Sequence, residues 1–349
     1  MKQVKRHAII PIFIPHKGCP NDCIFCNQKK ITARQAAVKG EDVKSIIETW
    51  LSTLEPRGVE TIEVAFFGGS FTGIPMEEQS AYLKIAKAYK DAGRIHKIHM
   101  STRPDYINKE ILDNLKTYSV DTIELGVQSL DDHVLTRAGR GHNAKVVYES
   151  SRLIKDYGFE LGIQLMIGLP GDTLETCIYS ALETVKIGPA IARLYPTIVI
   201  NDTELYNLYK RGEYKPLTQD EAIRRTKEMY KILDDAGINI IRVGLKSTDL
   251  INDSEDSEIN GGTYHPAFRQ LVEGEIARER IEEKLNAANF DRSKKVKVDF
   301  FANAKCMSNL IGHKGKNKQY FLETYPYLDV LYKVNDLLLN NQYRIEIKE

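Results

Sequence analysis

Three of the five cysteines fall within eight residues, Cys19-Pro20-Asn21-Asp22-Cys23-Ile24-Phe25-Cys26. Thiolates are soft ligands that suit zinc or iron–sulfur clusters. A structural zinc site wants a fourth Cys or His nearby, and an electron-transfer [4Fe–4S] site wants four cysteines. His16 lies on the other side of the loop entrance, and Cys177 and Cys306 are remote in sequence. Three thiolates leave one iron of a cluster with an open position, where a substrate or cofactor can bind. A second chemical segment is Phe66-Phe67-Gly68-Gly69-Ser70-Phe71-Thr72-Gly73. Paired glycines at a strand end let a ligand approach the backbone closely, although a plain tight turn reads the same way.

Polar residues recur at other strand ends: Ser101 and Thr102, then Glu124, Gln128 and Ser129, then Arg140 and His142, then Gln164. A polar side chain in an apolar strand is costly unless paired, so each is either a ligand contact or a satisfied structural group. Tyr195, at the end of a later strand, is a candidate proton or electron relay, with a buried, hydrogen-bonded tyrosine as the equal alternative. Cys177 and Cys306 read as small core residues.

These residues need elements that bring strand ends together. Six β-branched runs supply them: 7–16, 59–69, 95–102, 121–128, 160–169 and 192–200. Between them 43–54, 77–91, 107–118, 143–157 and 173–187 carry apolar residues at helical spacing. Val43, Ile46, Ile47, Trp50, Leu51 and Leu54 share one such face. Asn143 and Thr173 stand as N-caps, and Gly93, Gly158 and Gly188 as stops. Successive βα units imply a parallel sheet with right-handed crossovers. No Gly-x-Gly-x-x-Gly follows the first strand. Six units in about 200 residues fit an incomplete (β/α)6 barrel better than a full one, which takes about 250. Beyond it come a helix at 221–236, a strand at 238–245, a polar acidic linker or flexible edge at 249–262, a helix at 266–285 and a strand at 294–302. The expected division is a barrel core at 1–245, an extension at 246–285 and a small basic α/β tail at 286–349.

The 349 residues balance 49 Lys+Arg against 48 Asp+Glu, which excludes a globally basic nucleic-acid coat. The early apolar stretch, Ala8 to Pro15, is broken by Pro11 and falls short of the roughly 20 residues that span a bilayer. It also lacks the unbroken apolar region of a signal peptide. A cytoplasmic location is expected, where crowded cysteines argue for metal or redox chemistry rather than disulfides. The tail concentrates Arg292, Lys294, Lys295, Lys297, Lys305, His313, Lys314, Lys316 and Lys318, with Phe300, Phe301, Tyr320 and Phe321 interleaved. Lysines neutralise phosphates and exposed aromatics stack bases. Gly312 to Lys318 reads as a flexible basic loop. The alternative is a solvated face balanced by the acidic loop at 253–258.

The cysteine loop resembles the cluster motif of the radical S-adenosylmethionine enzymes, C-x3-C-x2-C with an aromatic, here Phe25, before the last cysteine. The resemblance implies that Cys19, Cys23 and Cys26 hold a [4Fe–4S] cluster. The fourth iron would bind S-adenosylmethionine, whose reductive cleavage gives a 5′-deoxyadenosyl radical. It also implies that Gly68-Gly69-Ser70 answers to the Gly-Gly-Glu-type motif that holds the cofactor's amino group. Gln128 and Arg140 look like the cofactor-binding residues of the oxygen-independent coproporphyrinogen oxidase branch. Ser101 and Gln164 stand where that branch has Glu and Asp.

A narrower resemblance, to the radical domain of the Elongator catalytic subunit, rests on 124–129, 139–142, 194–200, 203–206 and 212–215, with 261–268 resembling the end of that domain's extension. It implies action on tRNA. The departures are cluster cysteines spaced differently from Elongator's, no apparent acetyl-CoA signature, and about 80 remaining residues, too few for its acetyltransferase domain. The expectation is therefore radical chemistry on tRNA or other RNA without acetyl transfer, fed by a reductase, flavodoxin or ferredoxin. The same chemistry on a small molecule or lipid is the alternative, and a non-catalytic iron–sulfur or RNA-binding protein is the second.

Overall fold

The computed structural model describes residues 7–14, 23–27, 38–247, 251–252 and 257–348. Cys19 lies outside them. The chain forms two compact units, Met1–Ala222 with Ile232–Pro266, and Ile223–Lys231 with Ala267–Glu349. The expected boundaries at 245 and 285 fall inside these units.

The first unit is built on a parallel sheet of seven strands: β1 (His7–Ile14), β2 (Thr61–Gly68), β3 (Lys97–Thr102), β4 (Thr122–Gln128), β5 (Glu160–Ile167), β6 (Ile191–Pro196) and, after a detour, β8 (Asn239–Val243). They lie side by side in that order. Helices α1 (Gly40–Leu54), α2 (Met76–Asp91), α3 (Lys109–Thr117), α4 (Asp132–Arg137), α5 (Ala144–Asp156) and α6 (Leu174–Ile187) make the crossovers. This is the expected incomplete α/β barrel, with 238–245 joining as a seventh strand. Pro11 sits in β1 without disrupting the ladder because β1 is the sheet edge.

In α1 the buried stripe is Val43, Ile47, Leu51 and Leu54, whereas Trp50 stands outside it. Asn143 caps α5 by accepting the Val146 N–H, and Thr173 caps α6 by accepting that of Thr176. Gly188 ends α6 in the left-handed conformation. Among the described residues no helix is long and apolar enough to cross a membrane.

Two expectations are corrected here. The run 192–200 is two strands, because Pro196 cannot donate to a continued ladder. After it, β7 (Ile198–Ile200) leaves the sheet and pairs antiparallel with β9 (Ile259–Gly262). The supposed linker at 249–262 therefore ends in a strand. A β-carbon at Gly262, with φ 86°, would lie 2.6 Å from the Thr197 carbonyl oxygen, so only glycine closes this ribbon. Helices α7 (Glu204–Lys210) and α8 (Gln219–Asp235) connect β7 to β8.

The second unit contains α9 (Phe268–Ala287), β10 (Val296–Ala302), α10 (Met307–Ile311), α11 (Lys316–Thr324), β11 (Leu328–Val334) and β12 (Arg344–Lys348). Its sheet order is β11-β10-β12, with β11 parallel and β12 antiparallel to β10. One face of β10, Val298, Phe300 and Ala302, packs with Ala277, Ile281, Leu285, Leu310 and Phe321. Phe300 and Phe321 are thus core residues, and Phe301 lies buried with the Arg344 guanidinium 4.8 Å over its ring. None of these three is a stacking platform, because apolar burial claims them first. Gly312 to Lys318 is a 3-10 turn (His313–Gly315) running into α11, not a loose loop.

Candidate functional site

A parallel sheet delivers all its carboxyl ends to one edge, where ligands of such sheets gather. At that edge β1 leads toward the cysteine segment, β2 ends at Gly68, β3 at Thr102 and β4 at Gln128. Residues 23–27 are held from two sides. Ile24 N–H donates to Ala138 O at 3.2 Å, and Ile24 O accepts Leu205 N–H at 2.7 Å. Phe25 packs against Val134, Ala138 and Leu169 on one side and Val199, Leu205 and Tyr214 on the other. Cys26 N–H donates to Cys23 O at 2.9 Å, which turns the segment between its two cysteines.

The Cys23 sulfur is buried and faces two guanidinium groups. Arg140 Nη1 donates to it at 3.2 Å, and Arg103 Nη1 at 3.8 Å. Each arginine is fixed at its other end. Arg140 Nη2 donates to Gly126 O. Arg103 makes a two-pronged pair with Asp105, both contacts 2.9 Å, and donates to Arg140 O. Two buried guanidinium groups thus face the sulfur, the kind of donor that a thiolate ligand of a cluster accepts from. Beside it the backbone of Gln128 is left-handed, φ 72°, at an irregularity in the β4–β5 ladder. Its Oε1 is buried with no partner among the described residues. A β-carbon on Gly126 would touch Gln128 Nε2 at 3.4 Å and Arg140 Nη2 at 3.6 Å. His142 Nε2 is another buried atom lacking a partner there. Burial, then the Arg140 charge, push that imidazole down to about 4, so it is neutral at pH 7. Orphaned polar atoms, a bare glycine and two guanidinium groups around a cysteine sulfur fit a bound polar cofactor next to a thiolate-held cluster.

The Gly-Gly segment has a structural reason of its own. A β-carbon on Gly68, with φ 116°, would sit 2.3 Å from the Ile14 carbonyl oxygen, and Gly69 N–H donates to that same oxygen at 3.2 Å. These contacts tie β2 to the end of β1. The Ser70 side chain is committed to protein: its oxygen accepts Arg103 N–H at 3.1 Å and lies 2.7 Å from Thr102 Oγ1. Thr72 donates to Tyr106 O and lies 2.6 Å from Thr102 Oγ1. With the Thr72 proton spent on Tyr106, Thr102 donates to Thr72 and Ser70 donates to Thr102.

Ser101, Gln164 and Tyr195 belong to a buried network centred on Glu124. Arg193 Nε donates to Glu124 Oε2 at 2.8 Å, and Gln164 Nε2 donates to Oε1. Ser101 Oγ donates to Oε1 at 3.4 Å. His99 Nε2 stands 3.4 Å from Oε2, and His99 Nδ1 is 2.5 Å from Glu63 Oε1. Tyr195 Oη accepts from Arg193 Nη1 at 3.2 Å, and burial holds this hydroxyl above its ordinary range. Burial opposes charge on His99, but Glu124 and Glu63 outweigh it and bring the imidazole up to about 9. Burial would also raise Glu124, yet Arg193 and His99 hold it near 2.

Sequence reasoning missed Arg103, Glu63, His99 and Arg193. The available signal was parity: Glu63, His99, Ser101, Glu124, Gln164 and Arg193 interrupt apolar strands at positions that pair or neighbour one another across the ladders.

The remaining candidates lie in the second unit. Lys294, Lys295, Lys297, Lys314, Lys316 and Lys318 are exposed, Lys294 beside Asp291 at 3.5 Å and Lys316 beside Glu275 at 3.6 Å. Cys306 is buried and its sulfur accepts Asn341 N–H, while Cys177 is buried against Asp172.

Two family models match consecutive stretches and between them account for most of the chain: the radical SAM superfamily at residues 13–181 and the Radical_SAM C-terminal domain at 189–278. A tRNA uridine(34) acetyltransferase of Methanocaldococcus jannaschii is 28% identical over 255 residues, 62% of this chain and 47% of that protein. Elongator complex protein 3 of Homo sapiens is 34% identical over 185 residues, 47% of this chain and 34% of that one. The heme chaperone HemW of Bacillus subtilis is 28% identical over 219 residues, 62% and 56% respectively. The chain spans about half the length of the acetyltransferases it matches. In fold it is similar to the archaeal Methanocaldococcus infernus Elp3 with an N-terminal deletion, at TM-score 0.61 and 22% identity, over 82% of this chain and 65% of that one. The open parallel barrel, Cys23 and Cys26 at its carboxyl edge and the two consecutive family matches make this chain a member of the radical SAM superfamily, whose enzymes use a [4Fe–4S] cluster and S-adenosylmethionine.

Proposed function

We propose that this enzyme performs its radical chemistry on RNA, with tRNA as the substrate class, and takes electrons from a flavodoxin, a ferredoxin or a reductase. Cys19, Cys23 and Cys26 hold the cluster. Gly68, Gly69, Gln128 and Arg140 hold S-adenosylmethionine, and Phe25 wedges the cysteine segment in place. When bound, these groups supply reductive sulfonium cleavage and hydrogen-atom abstraction. The chain supplies charge, orientation and dryness. Arg140 and Arg103 balance the thiolate charge, and Gln128 Oε1, without a partner among the described residues, accepts a hydrogen bond from the cofactor. Ser101 and Gln164 act one step back, by fixing Glu124 in the barrel interior.

The paired guanidinium groups on the buried Cys23 sulfur carry the site assignment. The tRNA assignment is supported by the relatives named for tRNA uridine and by the exposed lysines of the second unit. The test is anaerobic reconstitution with iron and sulfide, then S-adenosylmethionine and dithionite, with 5′-deoxyadenosine measured with and without bulk tRNA. Cleavage is expected in the native protein, lost in Cys23→Ala and stimulated by tRNA. Cleavage that tRNA leaves unchanged would remove RNA from the reading and favour a small substrate.

A further inference from the structure

In the second unit β10, α10, α11 and β11 form a continuous βααβ segment whose two strands are parallel neighbours. The turn between its helices is Gly312-His313-Lys314-Gly315, with Lys316 and Lys318 directly after it. The two glycines answer to different needs. A β-carbon on Gly312, at φ 82°, would lie 2.6 Å from Asn317 N, so packing demands glycine there. A β-carbon on Gly315, at φ 80°, would meet nothing within 4 Å. That end of the turn shows bare backbone to open space.

The turn is anchored from below. Asn317, 2% exposed, donates to Gly274 O of α9 at 2.7 Å and to Asn309 O at 3.1 Å. His313 Nδ1 lies 3.1 Å from Gln270 Oε1 on α9. Lys314, Lys316 and Lys318 remain exposed around this fixed turn, with Glu275 as the acid beside Lys316.

We propose that Gly312–Gly315 grips the sugar–phosphate backbone of single-stranded RNA. KH modules clamp about four nucleotides with a Gly-x-x-Gly loop between two helices. The physical ingredients are the same here. Glycine lets phosphates come close to the main chain, flanking lysines neutralise them, and an anchored turn loses little freedom on binding. Phe300, Phe301 and Phe321 are buried, so this recognition is led by the backbone rather than by stacking. The inference deepens the RNA reading above and does not depend on the radical step.

The test is fluorescence anisotropy on the reconstituted full chain. The probes are a short mixed-sequence single-stranded RNA and its duplex, titrated at several salt concentrations. Lys314 has φ 52°, which Asp and Asn tolerate well, so Lys314→Asp reverses the charge and Lys314→Asn removes it without disturbing the turn. The expected result is preference for the single strand. Kd should rise by about tenfold in Lys314→Asp and less in Lys314→Asn, with a salt slope shallower by about 0.7 for each phosphate that is no longer neutralised. Equal binding by native protein and both variants would overturn the proposal. So would duplex RNA binding as well as the single strand, or no binding of the single strand. Formation of 5′-deoxyadenosine, read on the same native preparation, separates failure of this proposal from failure of the radical assignment.

Discussion

Glu124→Gln tests whether the barrel interior is an electrostatic unit. The native interior sets two carboxylates, Glu63 and Glu124, against Arg193 and a protonated His99, with His7 Nε2 at 2.9 Å on the second Glu63 oxygen. The substitution keeps the shape and removes one charge, leaving the Arg193 guanidinium buried without its carboxylate. Breaking a buried pair in this way costs about 3–5 kcal/mol. For a unit of this size that is a fall of roughly 6–20 °C in Tm. The cost depends on pH. His99 titrates near 9 in the fold against an ordinary 6.5, so its contribution is full below 6.5 and is lost as pH rises through 9. That interval is worth at most about 3 kcal/mol, part of which Glu63 preserves in the variant. Glu63 and Glu124 titrate near 2 against an ordinary 4.5, so their contribution is full above 4.5 and fades as pH falls toward 2. The native network is therefore complete between 4.5 and 6.5. Guanidinium denaturation followed by circular dichroism at pH 6 and pH 9 should show a large gap between native and variant at pH 6 and a smaller one at pH 9. A gap below about 1 kcal/mol at pH 6, or one that does not narrow, would refute the reasoning.

Substitutions at three further positions address the carboxyl edge. Arg140→Leu should weaken retention of iron or S-adenosylmethionine by about 10–100-fold, measured by iron analysis and equilibrium binding, because it strips a donor from the Cys23 sulfur; unchanged retention would sink the role given to Arg140. Arg140→Lys should not rescue it, since one ammonium cannot reach both Cys23 Sγ and Gly126 O in the planar fork geometry. Gly68→Ala should destabilise the fold by about 1–3 kcal/mol or more, read as a lowered Tm, because the new methyl meets the Ile14 carbonyl at a backbone angle already unfavourable to alanine. Gln128→Gly should leave Tm unchanged or slightly raised while weakening S-adenosylmethionine binding, since it relieves a left-handed non-glycine residue and deletes an amide oxygen that has no partner among the described residues. A marked fall in Tm would mean that the Gln128 side chain is structural.

What the sequence disclosed was local. The βα rhythm and the caps at Asn143 and Thr173 depend on near neighbours, and the barrel was legible from them. Cysteine spacing is local too, so the loop pointed to its chemistry without any knowledge of packing. The break at Pro196 was visible in the residues, but its consequence was not. Whether Ile198–Ile200 continues a sheet or starts another depends on Ile259–Gly262, some sixty residues later. The aromatics of the second unit misled for a related reason. Phe300 and Phe301 are adjacent, and strand alternation sends them to opposite faces, yet both end up covered, one by Phe321 and Tyr332 and the other by Arg344. Composition sees interleaved Lys and Phe; only the fold decides which rings reach water.

The charged residues explain why the site was half legible. Arg103, Arg193 and His99 carry no local signal of their roles. Their meaning lies in pairings across the barrel, separated by dozens of residues in sequence. Once those pairings are known, the polar residues divide into two groups with different consequences. In the interior group each carboxylate has basic partners, and it fixes Ser101, Gln164 and Tyr195 at the cost of leaving them little freedom to meet a ligand. The edge group sets Arg103 and Arg140 on the Cys23 sulfur beside Asp105 and lies next to Gly126 and Gln128, whose amide oxygen has no partner among the described residues. The interior therefore contributes rigidity and the edge contributes affinity, which is why Glu124→Gln should register first in stability and Arg140→Leu first in binding.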